Sequence, residues 1–126
     1  MSDRYRIHAA ALKSAALTAQ TTMVTIPCDR NAVIEECVIA SRAGVTGHSA
    51  NYSTVTVLNG ANELFKRDFD TGAGGDGGIS ALTKESLTQL KDTTVDKNTC
   101  LQIRYNYAGT GLAVDLDFVL VFRLSR

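Results

Sequence analysis

The chain has 126 residues, of which 44% are apolar and 21% charged, with thirteen basic side chains against thirteen acidic ones. That length predicts one domain with its own core, spanning residues 1–126, and the composition excludes a disordered chain. Zero net charge without a basic block argues against a nucleic-acid binder, and no apolar stretch is long enough to cross a bilayer.

The chain starts Met1-Ser2-Asp3-Arg4 and runs into Tyr5-Arg6-Ile7-His8 without the apolar core of a signal peptide, which predicts synthesis in a cytoplasm. Residues 1–20 read as an N-terminal arm. Tyr5 to Leu12 suits a strand or a docking arm, although the alanines around Leu12 and Leu17 also suit a short helix. Thr22 to Cys28 alternates Thr22, Val24, Ile26 and Cys28 against Met23, Thr25 and Pro27, which predicts a strand with Pro27 at an edge or an end. Asp29-Arg30-Asn31 supplies a turn. Val33 to Ala40 is a strand apolar nearly throughout, interrupted by Glu35 and Glu36.

A loop rich in Gly, Ser and Asn follows from Ser41 to Asn51. Ser53 to Leu58 is a β-branched strand, and Asn59-Gly60 predicts a tight turn in which both residues accept positive φ. Glu63 to Phe69 returns as the second arm of a hairpin, with Leu64 on one face and Phe65, Arg67 and Phe69 on the other. Asp70 to Ser80 holds five glycines in seven positions, which predicts an exposed, flexible loop marked by Asp70, Gly72, Gly75, Asp76 and Gly78.

Leu82 to Leu90 suits a strand or a short helix, and Asp92 to Asn98 a polar turn. Cys100 to Tyr107 alternates Leu101, Ile103, Tyr105 and Tyr107 inward against Gln102, Arg104 and Asn106 outward. Ala108-Gly109-Thr110-Gly111 leads into the most strongly patterned stretch, where Leu112, Val114, Leu116, Phe118, Leu120, Phe122 and Leu124 share one face. The other face runs from Ala113, Asp115 and Asp117 to Val119, Val121 and Arg123. Its apolar half predicts a second cover, and Val119, Val121 and Ala113 are the candidate oligomer interface. Cys100 to Tyr107 and this stretch are expected to pair. About eight short strands without βαβ alternation predict an all-β fold, an antiparallel two-sheet sandwich of the jelly-roll kind.

Cys28, Cys37 and Cys100 are odd in number and include no CxxC pair, so they read as small buried hydrophobes in a reducing compartment and not as a disulfide or metal site. Asp70-Thr71-Gly72-Ala73 matches the loop of retroviral-type aspartic proteases, in which two chains each give one aspartate to a proton-sharing pair. The match stops at the tripeptide, because that family also needs an apolar strand after the loop and a later apolar-apolar-Gly segment. One Gly-Gly-Asp copy falls short of a calcium-binding repeat. Gly109-x-Gly111 precedes a strand and not the helix that a phosphate cradle requires. His8 and His48 stand apart, without ligand spacing around them, and Asn51-Tyr52-Ser53 lacks a secretion signal to make it a glycosylation site. Tyr5, Tyr52, Tyr105 and Tyr107 are candidates for a sugar-binding face, yet tryptophan, the residue that most often stacks on sugars, is missing. No catalytic residue, metal or cofactor is implied.

Thr22-Met23-Val24-Thr25-Ile26-Pro27 ending at Asp29-Arg30-Asn31, the strand entering Asn59-Gly60, Val95-Asp96-Lys97-Asn98-Thr99-Cys100-Leu101, Ala108-Gly109-Thr110-Gly111-Leu112-Ala113 and the terminal strand together resemble the small jelly-roll structural proteins of tailed bacteriophages. Those include capsid decoration or cement proteins and head-fibre bases. The resemblance implies a non-enzymatic virion protein on the capsid surface that acts as a homotrimer, binds the major capsid protein and stabilises the assembled head. It implies a mobile arm in which Arg4, Tyr5 and Arg6 lie on the shell. Jelly rolls also serve as receptor- or carbohydrate-binding modules, for example at fibre tips, and that is the alternative reading.

Overall fold

The computed structural model describes residues 4–124, and its description of side chains begins at Ile7. Ten strands run in chain order: β1 (Arg4–Ser14), β2 (Thr21–Pro27), β3 (Ala32–Ser41), β4 (Tyr52–Asn59), β5 (Asn62–Asp68), β6 (Lys84–Ser86), β7 (Thr88–Gln89), β8 (Thr94–Val95), β9 (Cys100–Ala108) and β10 (Val114–Leu124). They form two five-stranded antiparallel sheets. One has the order β1-β10-β3-β6, with β8 also on β3, and the other the order β2-β9-β4-β5-β7. Successive strands alternate between the sheets at both ends of the chain, which is jelly-roll connectivity. The two most patterned strands, β9 and β10, do not pair with each other; each sits inside a different sheet, and they face across the core.

The alternation of β10 explains its central place. Val114, Leu116, Phe118, Leu120 and Phe122 are all buried in the sandwich, against Leu101, Ile103 and Tyr105 of β9 and Val55 and Val57 of β4 in a single apolar cluster. Each such side chain contributes roughly 1.5–3 kcal/mol by leaving water. Tyr105, the largest, keeps its hydroxyl satisfied: it donates to the Leu112 carbonyl at 2.9 Å and accepts from the Leu17 amide at 3.1 Å, tying the β9-β10 loop to the β1-β2 loop.

Several expectations need correction. Residues 4–14 are neither helix nor free arm, because β1 pairs with β10 in unbroken register from Arg4–Leu124 to Ser14–Val114. Leu12 and Ser14 are buried beneath it, so the ladder and the core hold the segment. Leu82 to Leu90 contains the short strands β6 and β7 and no helix. The count rises to ten because β6, β7 and β8, of two or three residues each, are defined by their partners β3 and β5. Adjacent Glu35 and Glu36 both reach solvent because β3 carries a bulge opposite Val121 and Phe122, where the extra residue resets the alternation. A second bulge near Leu58 lets Leu64 and Phe65 both be buried, so β5 does not divide cleanly into two faces. The β4-β5 hairpin closes on Asn59 and Asn62 with Gly60-Ala61 as the loop, and only Gly60 has positive φ, 61°, the pattern of a II′ turn. Tyr107 is 40% exposed at the end of β9.

Candidate interaction surfaces

The outward face of the β1-β10-β3-β6 sheet can be read row by row from its register. Ala9, Val119, Val38 and Ser86 form one row, and Ala11, Asp117, Ala40 and Lys84 form the next toward the start of β10. Ile7, Val121 and Glu36 form the row on the other side. Ile7 is 70% exposed and Ala9 and Ala11 are open to solvent, whereas Val119 and Val121 are half-buried among their neighbours. The centre of this face is therefore made of small or branched apolar side chains, with Val38 buried among them. Charges frame it at both ends. Arg42 donates from Nη2 to Asp117 at 2.8 Å and from Nη1 to Asp115 at 3.3 Å, and Arg123 pairs with Glu35. Ala113 is exposed in the loop ahead of β10, beyond the acidic pair. The side chains of Arg4, Tyr5 and Arg6 lie outside the described residues; their backbone occupies the end of β1 beside Phe122, Arg123 and Leu124.

The glycine-rich loop is exposed at its tip and tied at its base. Arg67 of β5, 6% exposed, points into the sandwich between Phe65 and Phe69. Its Nη2 donates to the carbonyls of Asp76 at 3.2 Å, Gly77 at 3.4 Å and Gly78 at 2.8 Å, and its Nη1 meets Glu85 at 3.1 Å. The guanidinium carbon stands 5.6 Å from the Phe69 ring centre, within cation–π range. The loop's carboxylates serve its own backbone: Asp70 Oδ1 accepts from the Gly72 amide at 2.7 Å, and Asp76 Oδ2 accepts from the Asp68 amide at 2.8 Å. Gly78 passes so close to the Val45 carbonyl and the Gly47 amide that a Cβ has no room there. Sequence reasoning placed Arg67 between two phenylalanines on one face, and that was the signal that this arginine is inward.

The cysteines divide three ways. Cys37 is buried, and burial, helped by Glu36, pushes its thiol up to about 12. Cys28 is half-buried and raised mainly by burial, then by Cys100 nearby. Cys100 is exposed, so the expectation of three buried hydrophobes holds for Cys37 alone. A cleft of about 50 Å³ at the end of the sandwich is lined by His8, Ile26, Cys28, Val95, Phe122 and Leu124 among others. An open concavity of about 510 Å³ lies between the Gly44–Gly47 and Thr71–Ser80 segments, and its lining, Gly44, Val45, Thr46, Gly47, Thr71, Gly78, Ile79 and Ser80, carries no aromatic ring. His48 is exposed and its Nδ1 accepts from the Ala50 and Asn51 amides, which makes it a loop brace. Among the described residues, no group of three or more His, Cys, Asp or Glu side chains is placed to hold a metal ion.

No family model matches the chain, and no curated protein matches it in sequence. Two solved structures do match in three dimensions. A chain of the cyanophage Pam1 capsid asymmetric unit superposes with a TM-score of 0.53 at 17% identity, over 98% of this chain and 86% of that one. A chain from the structure of infectious bursal disease virus, Gx strain, gives a TM-score of 0.45 at 14% identity, over 98% of this chain and 33% of the other. At such identity the first likeness establishes the fold: this all-β jelly-roll sandwich is one also found in a viral capsid.

Proposed function

We propose that this chain is a non-enzymatic structural protein of a virion, a capsid decoration or cement protein on the surface of a tailed-bacteriophage head. In this reading it binds the major capsid protein and stabilises the assembled shell. The observation that carries the reading is the near whole-length match of a chain this small to one from a phage capsid asymmetric unit, in which 98% of one chain meets 86% of the other. The chemistry of the loops points the same way. Asp70, Asp76 and His48, the side chains that first suggest an active site, each turn one polar atom to neighbouring backbone amides and brace the fold.

In this reading the protein acts as a homo-oligomer through the face that bears Val119 and Val121, and the end of β1 that holds Arg4, Tyr5 and Arg6 is the part of the chain that meets the shell. No observation favours the carbohydrate-binding alternative, whose shallow site would be built on aromatic rings. The test uses empty heads assembled without this chain. Purified protein should co-sediment with them to saturation in a fixed ratio to the shell protein and should raise their melting temperature; heads that neither bind it nor gain stability overturn the proposal.

A further inference from the structure

We infer that the outward face of the β1-β10-β3-β6 sheet is a contact between two copies of this chain, related by a two-fold axis that lies across the strands above Val119. The inference deepens the self-association proposed above and rests on it.

The row Ala9, Val119, Val38 and Ser86 is the natural axis, because the rows on either side are complementary when one is turned onto the other. On one side stands Lys84, at the outer end of the row of Ala11, Asp117 and Ala40; on the other stands Glu36, in the row of Ile7 and Val121. Both Lys84 and Glu36 are exposed, and no ion pair joins either to another described residue. Rotation about the axis reverses the strand direction and keeps the strand order, so each copy's Lys84 arrives over the row of the other copy's Glu36, one strand spacing away. A lysine spans that offset across sheets stacked about 10 Å apart. Two cross pairs form at once, and Ile7 comes down on Ala11 of the second copy.

Of the other charges on the face, Asp117 flanks Ala40 on the side away from Lys84, so the incoming Glu36 passes it at the same offset, and the bond from Arg42 at 2.8 Å is what offsets that carboxylate. Asp115 and Asp117 are already met by Arg42, and Arg123 is met by Glu35. At the centre, Ala9 and Val119 of the two copies meet over the buried Val38, and their small size is what allows two twisted sheets to approach closely. A two-fold contact closes at two copies, so this face gives a dimer in place of the trimer that the phage resemblance implies.

The experiment measures mass in solution by light scattering and sedimentation equilibrium over a wide concentration range. The wild-type chain should be dimeric. Lys84→Glu alone and Glu36→Lys alone should each weaken the dimer about tenfold, since two modest ion pairs become two repulsions. A mixture of the two single variants, and the double variant, should each recover wild-type association, a result that a merely structural role for these residues does not give. Val119→Asp should be monomeric, with circular dichroism and urea unfolding showing that it still folds. A wild-type monomer, or a dimer indifferent to all these changes, overturns the contact. Co-sedimentation with empty heads is read on the same samples. A monomer that still binds heads removes the contact and leaves the capsid role, while a dimer that ignores heads does the reverse.

Discussion

Replacing Arg67 with methionine keeps the aliphatic stem beside Phe69 and removes only the guanidinium. Five interactions go with it: the bonds to the carbonyls of Asp76, Gly77 and Gly78, the contact with Glu85 and the cation–π contact with Phe69. The short Gly78 bond and the Glu85 pair are charge-assisted, and each such bond contributes roughly 1.5–3 kcal/mol. Two effects lower the sum. The Glu85 side chain is 37% exposed and is taken up by water when its partner leaves, and the buried Nε of Arg67, which has no acceptor, no longer has to be accommodated. A net destabilisation of about 2–4 kcal/mol results. With a urea dependence of roughly 1.5 kcal/mol/M, the unfolding midpoint falls by about 1.3–2.7 M at an unchanged slope. The loop of Asp76, Gly77 and Gly78 should also become cleavable by a broad protease under native conditions, because its base loses its tether. Arg67→Lys keeps the charge but not the fork, and should fall between. A midpoint within about 0.5 M of wild type, with the loop still resistant, would refute the assignment of Arg67 as the clasp.

Cys37 gives a pH dependence of definite sign. Its folded-state pKa, about 12, lies above the unfolded 9.0, so the fold favours the neutral thiol: this stabilisation is complete below pH 9.0 and is lost as pH rises toward 12. Urea unfolding should show a decline of about 1.4 kcal/mol per pH unit in that window, absent in Cys37→Ala, and native thiol labelling should mark Cys100 first and Cys37 last. Tyr105→Phe should cost about 1–2 kcal/mol in thermal or urea melts, because it leaves the Leu17 amide and the Leu112 carbonyl without their partner in a buried corner. Leu82 holds a φ of 59° while 84% exposed, so Leu82→Asn, which accepts that conformation more readily, should be neutral or stabilising by up to about 1 kcal/mol in the same melts.

Where the core lies was legible because β10 alternates through Phe122 and β9 from Leu101 to Tyr105, and alternation against a buried face needs no knowledge of partners. Order within the sheets was not, since every ladder except the β4-β5 hairpin joins distant segments. The alanines of β1 satisfy strand and helix alike, and the long ladder with β10 decides between them. Strands of two residues carry no period at all. The glycines between Asp70 and Ser80 signalled softness, yet a single buried arginine, placed by an alternation that was visible, holds their carbonyls. Val119 and Val121 stand out on β10 in the sequence, whereas Glu36 comes level with Val121, and Lys84 with Asp117, only through the β10-β3 and β3-β6 pairings.

The capsid role is tested most directly by quantitative mass spectrometry of virions purified from the source that carries the gene for this chain. A capsid decoration protein should be present in every virion, in a constant ratio to the major shell protein and in numbers comparable to it. Its absence from virions, or a few copies that fractionate with tails or fibres, would contradict the capsid role.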